Sequence, residues 1–308
     1  MNKEDSYKVL DDYLERGGNF LDTANNYAWW VGSGEFTGDE SEMLIGQWMT
    51  DRQNRDQVFL ATKVGANWTD NHVLRDEKGL PRYGEWLSSM EGTSESVIRQ
   101  GVEDSLKKLQ TDYIDLYYIH VDNRETPLEE TLRTMDALVN EGKIRYIGYS
   151  NVQTWRLEKI MAICEKNGYV KPVIVQEEYS YINPAKNHKH PYANHSKEEF
   201  FDWLNSRDDI SLTAYSPLLK GIYVNKERRD EWLNSEEYDT RYNRERIQKL
   251  IRIANEQNVS ANALVLAWMT AKKEEIIPII GFSKIEQYME NMTCLDIMIN
   301  SDLMETLE

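Results

Sequence analysis

What this chain lacks narrows it first. Among 308 residues there are only two cysteines, Cys164 and Cys294, far apart and both in stretches of helical periodicity. Such sparse usage reads as reduced thiols in a cytoplasmic protein rather than a disulfide framework. No run approaches the roughly 20 apolar residues of a membrane span, and Met1-Asn2-Lys3-Glu4-Asp5 is no secretory signal. Cationic excess is also missing: the net charge is −17. That balance argues against a nucleic-acid groove or an anionic membrane surface, both of which need clustered Lys and Arg. It leaves room for a local basic pocket. No Gly-x-Gly-x-x-Gly follows any apolar run, which counts against a dinucleotide-binding doubly wound sheet. No Pro- or Ser-rich linker divides the sequence, so residues 1–308 read as one domain.

What is present is strand–helix alternation. Short β-branched or aromatic runs at 19–23, 58–63, 114–119, 144–149, 172–177, 210–215 and 276–280 read as strands. Amphipathic stretches fill the gaps: 5–16, 39–51, 93–109, 127–141, 153–167, 196–205, 243–257, 260–271 and 284–291. Gly17-Gly18 and Gly142 close helices ahead of a strand. Near-continuous apolar strands alternating with helices point to a parallel sheet covered by helices, and a (β/α)8 TIM barrel is the expected form. Seven strands are counted where a closed barrel wants eight. The stretch before Asn19 reads as a helix, so the expected first strand is absent from this chain.

Several strands end in ionisable residues. Phe20-Leu21 runs into Asp22, with Tyr27 in the following loop; Phe59–Thr62 ends in Lys63; Leu116–Ile119 ends in His120. Parallel strands of a barrel deliver their C-terminal residues to one rim, so a carboxylate, an ammonium, a phenol and an imidazole meet there. Each residue alone has a plainer reading: a turn-capping Asp, a solvent-facing Lys, a core Tyr, a satisfied core His. Together at consecutive strand ends they outline a proton-transfer site.

Ordered motifs extend along the chain. They include Gly18-Asn19-Phe20-Leu21-Asp22-Thr23-Ala24, Ser41–Gly46, Ala61-Thr62-Lys63, Ser105–Asp115, Gly142–Gly148 with Asn151, Ala214–Leu218 and Ile277–Gly281. In this order and spacing the chain resembles the aldo-keto reductases, in particular their aryl-alcohol dehydrogenase-like and potassium-channel β-subunit-like branch. The resemblance implies NADPH-dependent reduction of a small aldehyde or ketone on a (β/α)8 barrel, with NADH as the alternative cofactor and no metal. It also implies that the chain begins after the family's first strand and hairpin. A non-catalytic cofactor-binding regulator, or a truncated remnant, is the competing reading.

The implied catalytic tetrad is Asp22, Tyr27, Lys63 and His120. A carbonyl accepting hydride needs a proton donor within hydrogen-bond reach. A free phenol, with a pKa of about 10, is sluggish. Lys63 beside Tyr27 is expected to lower that pKa, Asp22 to fix Lys63, and His120 to donate to the carbonyl oxygen. For the cofactor, the resemblance implies that Tyr215 stacks on the nicotinamide while Ser150, Asn151 and Gln176 hold its carboxamide. Ser216, Pro217, Leu218 and Gly221 would follow the pyrophosphate. Gly281, Ser283, Lys284, Gln287, Glu290 and Asn291 would close over the adenosine end, where a helix start favours anions. Many family members carry an Arg where Gln287 stands, so a preference for the 2′-phosphate rests here on Lys284 and Ser283.

Two further features draw attention. Trp29-Trp30, in a long loop after Tyr27, form either an aromatic wall over the substrate or an anchor packing the loop down. His188, His190 and His195 lie in a polar, turn-rich stretch without zinc-motif spacing, and read as a solvated loop.

Overall fold

The computed structural model describes residues 1–30, 34–68, 75–77, 82, 89–186, 188 and 198–308. Two compact units make up the chain, one of residues 2–175 and one of residues 176–308 with Met1.

In the first unit, α1 (Lys3–Glu15) leads to β1 (Phe20–Asp22), α2 (Glu40–Arg52), β2 (Phe59–Val64), α3 (Glu95–Leu109), β3 (Ile114–Ile119), α4 (Leu128–Asn140), β4 (Ile144–Ser150) and α5 (Thr154–Asn167). All three pairings here are parallel, with Asp22 opposite Ala61, Lys63 opposite Tyr118 and Tyr118 opposite Gly148. β4 lies beside β3 and not beside β1. That sequential order is the order of a barrel; a doubly wound sheet reverses at its first strand. β2 and β3 are buried on both faces, as strands between two layers must be.

β5 (Ile174–Glu178) runs into the second unit, which continues with α6 (Glu198–Asn205), β6 (Ser211–Tyr215), α7 (Lys226–Leu233), α8 (Arg241–Glu256), α9 (Ala261–Thr270), β7 (Ile277–Pro278), α10 (Ile285–Met292) and α11 (Ser301–Leu307). Among the described residues there are seven strands, as the apolar runs led one to expect. β7 is two residues long where five were expected. Pro278 has no N–H to give the ladder, although Ile279 N still donates to Ala214 O at 2.8 Å. α7, in a mixed-charge run whose sequence is compatible with either a helix or a loop, and α11 both fall outside the amphipathic stretches given above. Each is started by an asparagine side chain, Asn225 and Asn300, accepting from the backbone three residues on.

The close fit of the helical layer shows at Gly46. A Cβ there would sit 2.3 Å from the Lys108 carbonyl oxygen and 2.6 Å from the Leu109 carbonyl carbon, both backbone atoms at the end of α3. Backbone yields poorly, so Gly46→Ala is expected to cost about 1–3 kcal/mol, read as a lower urea midpoint with unchanged slope.

Candidate active site

The side-chain period of two in β1, β2 and β3 places Phe20 and Asp22, then Phe59, Ala61 and Lys63, then Leu116 and Tyr118, on one face of the sheet. Lys63 lies two residues beyond Ala61, the partner of Asp22, so its long side chain closes over the end of β1. Its Nζ donates to Asp22 Oδ1 at 2.5 Å, to Tyr27 Oη at 2.6 Å and to the Thr23 carbonyl at 2.7 Å. An ammonium has three protons, and all three are used. The Lys63 side chain is 0% exposed and that of Asp22 only 3%, so neither charge has water to fall back on.

Tyr27 in turn donates to Asp22 Oδ1 at 2.9 Å. Lys63 was expected to draw the phenol's pKa down. Instead, burial first and the Asp22 carboxylate second hold it well above the ordinary tyrosine range. Lys63 itself is lowered by burial, against the opposing pull of Asp22. The arrangement at rest is therefore a neutral phenol, accepting from Lys63 and donating to Asp22.

His120 closes the group. Its backbone N–H donates to Val64 O at 2.9 Å, and its carbonyl accepts from Asn151 Nδ2 at 3.0 Å. Its ring meets that of Tyr27 edge-on, with centroids 5.8 Å apart. Nδ1 is enclosed and meets no hydrogen-bond partner among the described residues. Burial, reinforced by the Lys63 charge, pushes the imidazole well below its usual pKa of 6.5. A neutral folded histidine has a definite consequence for stability. The unfolded chain takes up a proton below about pH 6.5 and the folded one does not, so this contribution is intact above pH 6.5 and lost as pH falls. His120→Gln is expected to flatten the fall in urea midpoint between pH 7.5 and 5.5, measured against the unsubstituted chain at about the same salt.

The first unit also holds Ser150 and Asn151, both buried, at the end of β4; Asn151 Nδ2 donates to Ser150 Oγ at 3.0 Å, and Asn151 sits at φ 55°. In the second unit Gln176 is buried and its Nε2 donates to Thr213 Oγ1 at 3.3 Å, while Tyr215 is partly exposed. Ser216 is exposed at φ 54°; Pro217 accepts the Ser180 hydroxyl at 2.5 Å; Leu218 is buried; Gly221 turns at φ 85° with open space at its Cβ position.

The α10 start has no side-chain cap at Lys284, which is exposed, as are Gly281 and Ser283. Gln287 is already engaged, its Oε1 taking the Ser283 N–H at 2.9 Å and hydroxyl at 3.2 Å. Glu290 accepts the Ser260 hydroxyl, and Asn291 is only 3% exposed. Asn291 therefore faces its own unit's packing, while Glu290 is partly exposed. Within the second unit taken by itself, a flat, partly open phenol and an uncapped helix start beside a lysine are groups of the kind that suit an aromatic ring and a phosphate.

The tryptophan question divides between the two residues. Trp29 is 0% exposed and packs against Trp68 at 4.8 Å and Trp30 at 5.0 Å, whereas Trp30 is 37% exposed. Of the histidine stretch, His190 and His195 lie outside the described residues, and His188 Nε2 stands 3.5 Å from Glu237. Among the described residues no three His, Cys, Asp or Glu side chains could share a metal ion, and no helix is long and apolar enough to cross a membrane.

Sequence comparison matches residues 1–308, the whole chain, to the Aldo/keto reductase family. The chain belongs to that family. Among its relatives is norsolorinic acid reductase A of Aspergillus parasiticus, 28% identical over 96% of this chain and 69% of that protein. Another is a probable aryl-alcohol dehydrogenase of Saccharomyces cerevisiae, 28% identical over 100% of this chain and 88% of that protein. A crystal structure of a thermostable aldo-keto reductase in complex with the inhibitor epalrestat superposes with a TM-score of 0.68 at 27% identity, covering 99% of this chain and 86% of that one. The α/β fold is thus that of an aldo-keto reductase barrel, and the chain falls in the aryl-alcohol dehydrogenase and norsolorinic acid reductase-like branch. It is an oxidoreductase of that family, which implies a nicotinamide cofactor and a carbonyl substrate.

Residues beyond the sequence-derived set also enter the site. Thr23 supplies a carbonyl to Lys63, and Tyr118 lies 5.5 Å beneath the same ammonium. Asn25, Asn26 and Glu91 brace the loops around it. Asn25-Asn26 could have been noticed between Asp22 and Tyr27. Glu91 had no local signal, because its partners are far away along the chain.

Proposed function

We propose that residues 1–308 act as one catalytic domain that reduces a small aldehyde or ketone to its alcohol, reversibly, with Tyr27 as the proton donor. The observation that carries this reading is the knot of Asp22, Lys63 and Tyr27, in which a fully buried ammonium spends one of its three protons on a neutral phenol. A reduced nicotinamide, when bound, supplies the hydride. As charge develops on the carbonyl oxygen, Tyr27 releases its proton to it. The phenolate left behind is stabilised by Lys63, whose charge Asp22 anchors. His120, neutral at physiological pH, retains one ring N–H to donate to the same oxygen and orient the substrate.

Ser150 and Asn151, together with Gln176 and Tyr215, are the residues we assign to the nicotinamide. Ser216, Pro217, Leu218 and Gly221 are assigned to the pyrophosphate, and Gly281, Ser283, Lys284 and Gln287 to the adenosine end, with Glu290 and Asn291 supporting that helix. NADPH is the expected reductant through Lys284 and Ser283, and NADH the second choice. Trp30, the more open of the paired tryptophans, favours apolar or aromatic carbonyls. Two free thiols suit a reducing compartment such as the cytoplasm.

The test is direct. The purified chain is given NADPH with nitrobenzaldehyde, phenanthrenequinone and a panel of aliphatic carbonyls, and the loss of reduced-nicotinamide absorbance is followed. Carbonyl-dependent consumption is expected. Dinucleotide binding without turnover on any member of the panel would sink the proposal in favour of a regulatory, non-catalytic protein.

A further inference from the structure

One carboxylate outside the tetrad ties together the two loops on which Tyr27 and Lys63 depend. Glu91 Oε1 accepts from Asn25 Nδ2 at 3.2 Å, from the Gly65 N–H at 2.9 Å and from the Asn67 N–H at 3.3 Å. The Glu91 backbone N–H returns a bond to Asn67 O at 2.9 Å. Asn25 stands two residues before Tyr27, and Gly65 two residues after Lys63. Asn26 adds a second tie between the same loops, its Nδ2 donating to Ala66 O at 2.6 Å. Gly65 turns at φ 100°, a conformation that side-chain-bearing residues rarely adopt, and its Cβ position would meet Thr93 at 3.1 Å. The turn presents its amide to the carboxylate.

We propose that Glu91 is a positioning residue for proton transfer: by gathering Asn25, Gly65 and Asn67 on one oxygen, it sets the hydrogen-bond distance between Lys63 and Tyr27. This rests on the reading of those two residues as the proton-transfer pair. Their separation is 2.6 Å. A displacement of about 1 Å in such a pair can cost on the order of 100-fold in rate, whereas the strands beneath the loops are held by their own ladders. Hydrogen bonds to an ionised acceptor are stronger than neutral ones, so one carboxylate can discipline both loops. An open cleft of about 360 Å³, lined by Asn25, Asn67, Glu91, Gln100, Asp104 and Lys108, gives solvent access to the junction.

That cleft makes the test specific. Glu91→Ala should lower kcat by roughly 10- to 100-fold while dinucleotide affinity and carbonyl KM change less than about threefold. Glu91→Gln, which keeps an acceptor oxygen, should recover most of the rate. Added acetate should partly restore Glu91→Ala, where chloride of equal ionic strength should not. Unchanged kcat in Glu91→Ala would overturn the proposal, and so would a loss that follows only the folded fraction seen by circular dichroism and ignores acetate. Should Glu91→Ala fail to fold, Asn25→Ala removes one arm of the latch; its kcat should fall by about threefold at unchanged KM, and an unchanged kcat would overturn the idea. Absence of turnover in the unsubstituted chain would count against the enzymatic reading. Turnover that is indifferent to Glu91 and Asn25 would count against the latch alone.

Discussion

Tyr27→Phe is expected to lower kcat for carbonyl reduction by about 100- to 10,000-fold, the range spanned by loss of a positioned general acid. Dinucleotide affinity should be nearly unchanged, because the substitution removes one oxygen and leaves the ring against His120. The phenol is held neutral by burial and by Asp22. A donor already carrying its proton favours reduction at neutral pH. The reverse reaction first needs that proton removed, so alcohol oxidation should accelerate with rising pH over a range where reduction does not. Single-turnover reduction and steady-state oxidation, each followed by nicotinamide absorbance in the unsubstituted chain and in Tyr27→Phe, measure both effects. A Tyr27→Phe protein retaining more than about a tenth of the rate would remove Tyr27 from the chemistry.

The second large effect is on stability. Lys63→Met leaves the Asp22 carboxylate, 3% exposed, without its ammonium. Removing one member of a buried ion pair costs about 3–5 kcal/mol, because the surviving charge stays desolvated. Against a typical total of about 5–15 kcal/mol, that is a substantial fraction. Thr23 O and the phenol oxygen of Tyr27 also lose their donor. The double change Lys63→Met with Asp22→Asn should recover much of the loss, since no charge then remains buried; the difference from additivity measures the coupling. Urea unfolding of the four proteins decides it, and strictly additive effects would mean the pair contributes no specific interaction. Both Lys63→Met proteins should be inactive, which separates the pair's role in folding from its role in chemistry.

Much of the frame could be read along the chain. Apolar runs alternating with amphipathic stretches marked the seven strands of the described residues within a few positions, because a strand covered on both faces must be apolar and its helix must not. The termini were harder. β7 shortened where Pro278 withholds its N–H, and α7 and α11 formed where asparagine caps start short helices in charged sequence. Residue type alone did not separate a site carboxylate from a structural one. Asp22 and Asp115 both sit in strands. Asp115, at 2% exposed, accepts from Arg55 at 2.8 Å, Arg145 at 2.8 Å and the Leu60 N–H at 3.0 Å, and so serves the sheet. Asp22 holds the lysine. What distinguishes them is which end of a strand each occupies, and that was legible.

By itself, then, the order of residues determined that Asp22, Lys63 and His120 would lie at or beside the ends of neighbouring strands with Tyr27 in the loop nearby. Parallel strands and a side-chain period of two leave few other destinations. Only the tertiary structure decided what those groups do to one another: that all three Lys63 protons are spoken for, that the phenol's pKa is raised where a lone lysine neighbour would have lowered it, and that Glu91 braces the loops. Hydrogen-bond partners and desolvation depend on atoms brought close from dozens of residues apart, and no local pattern in the chain encodes their distances.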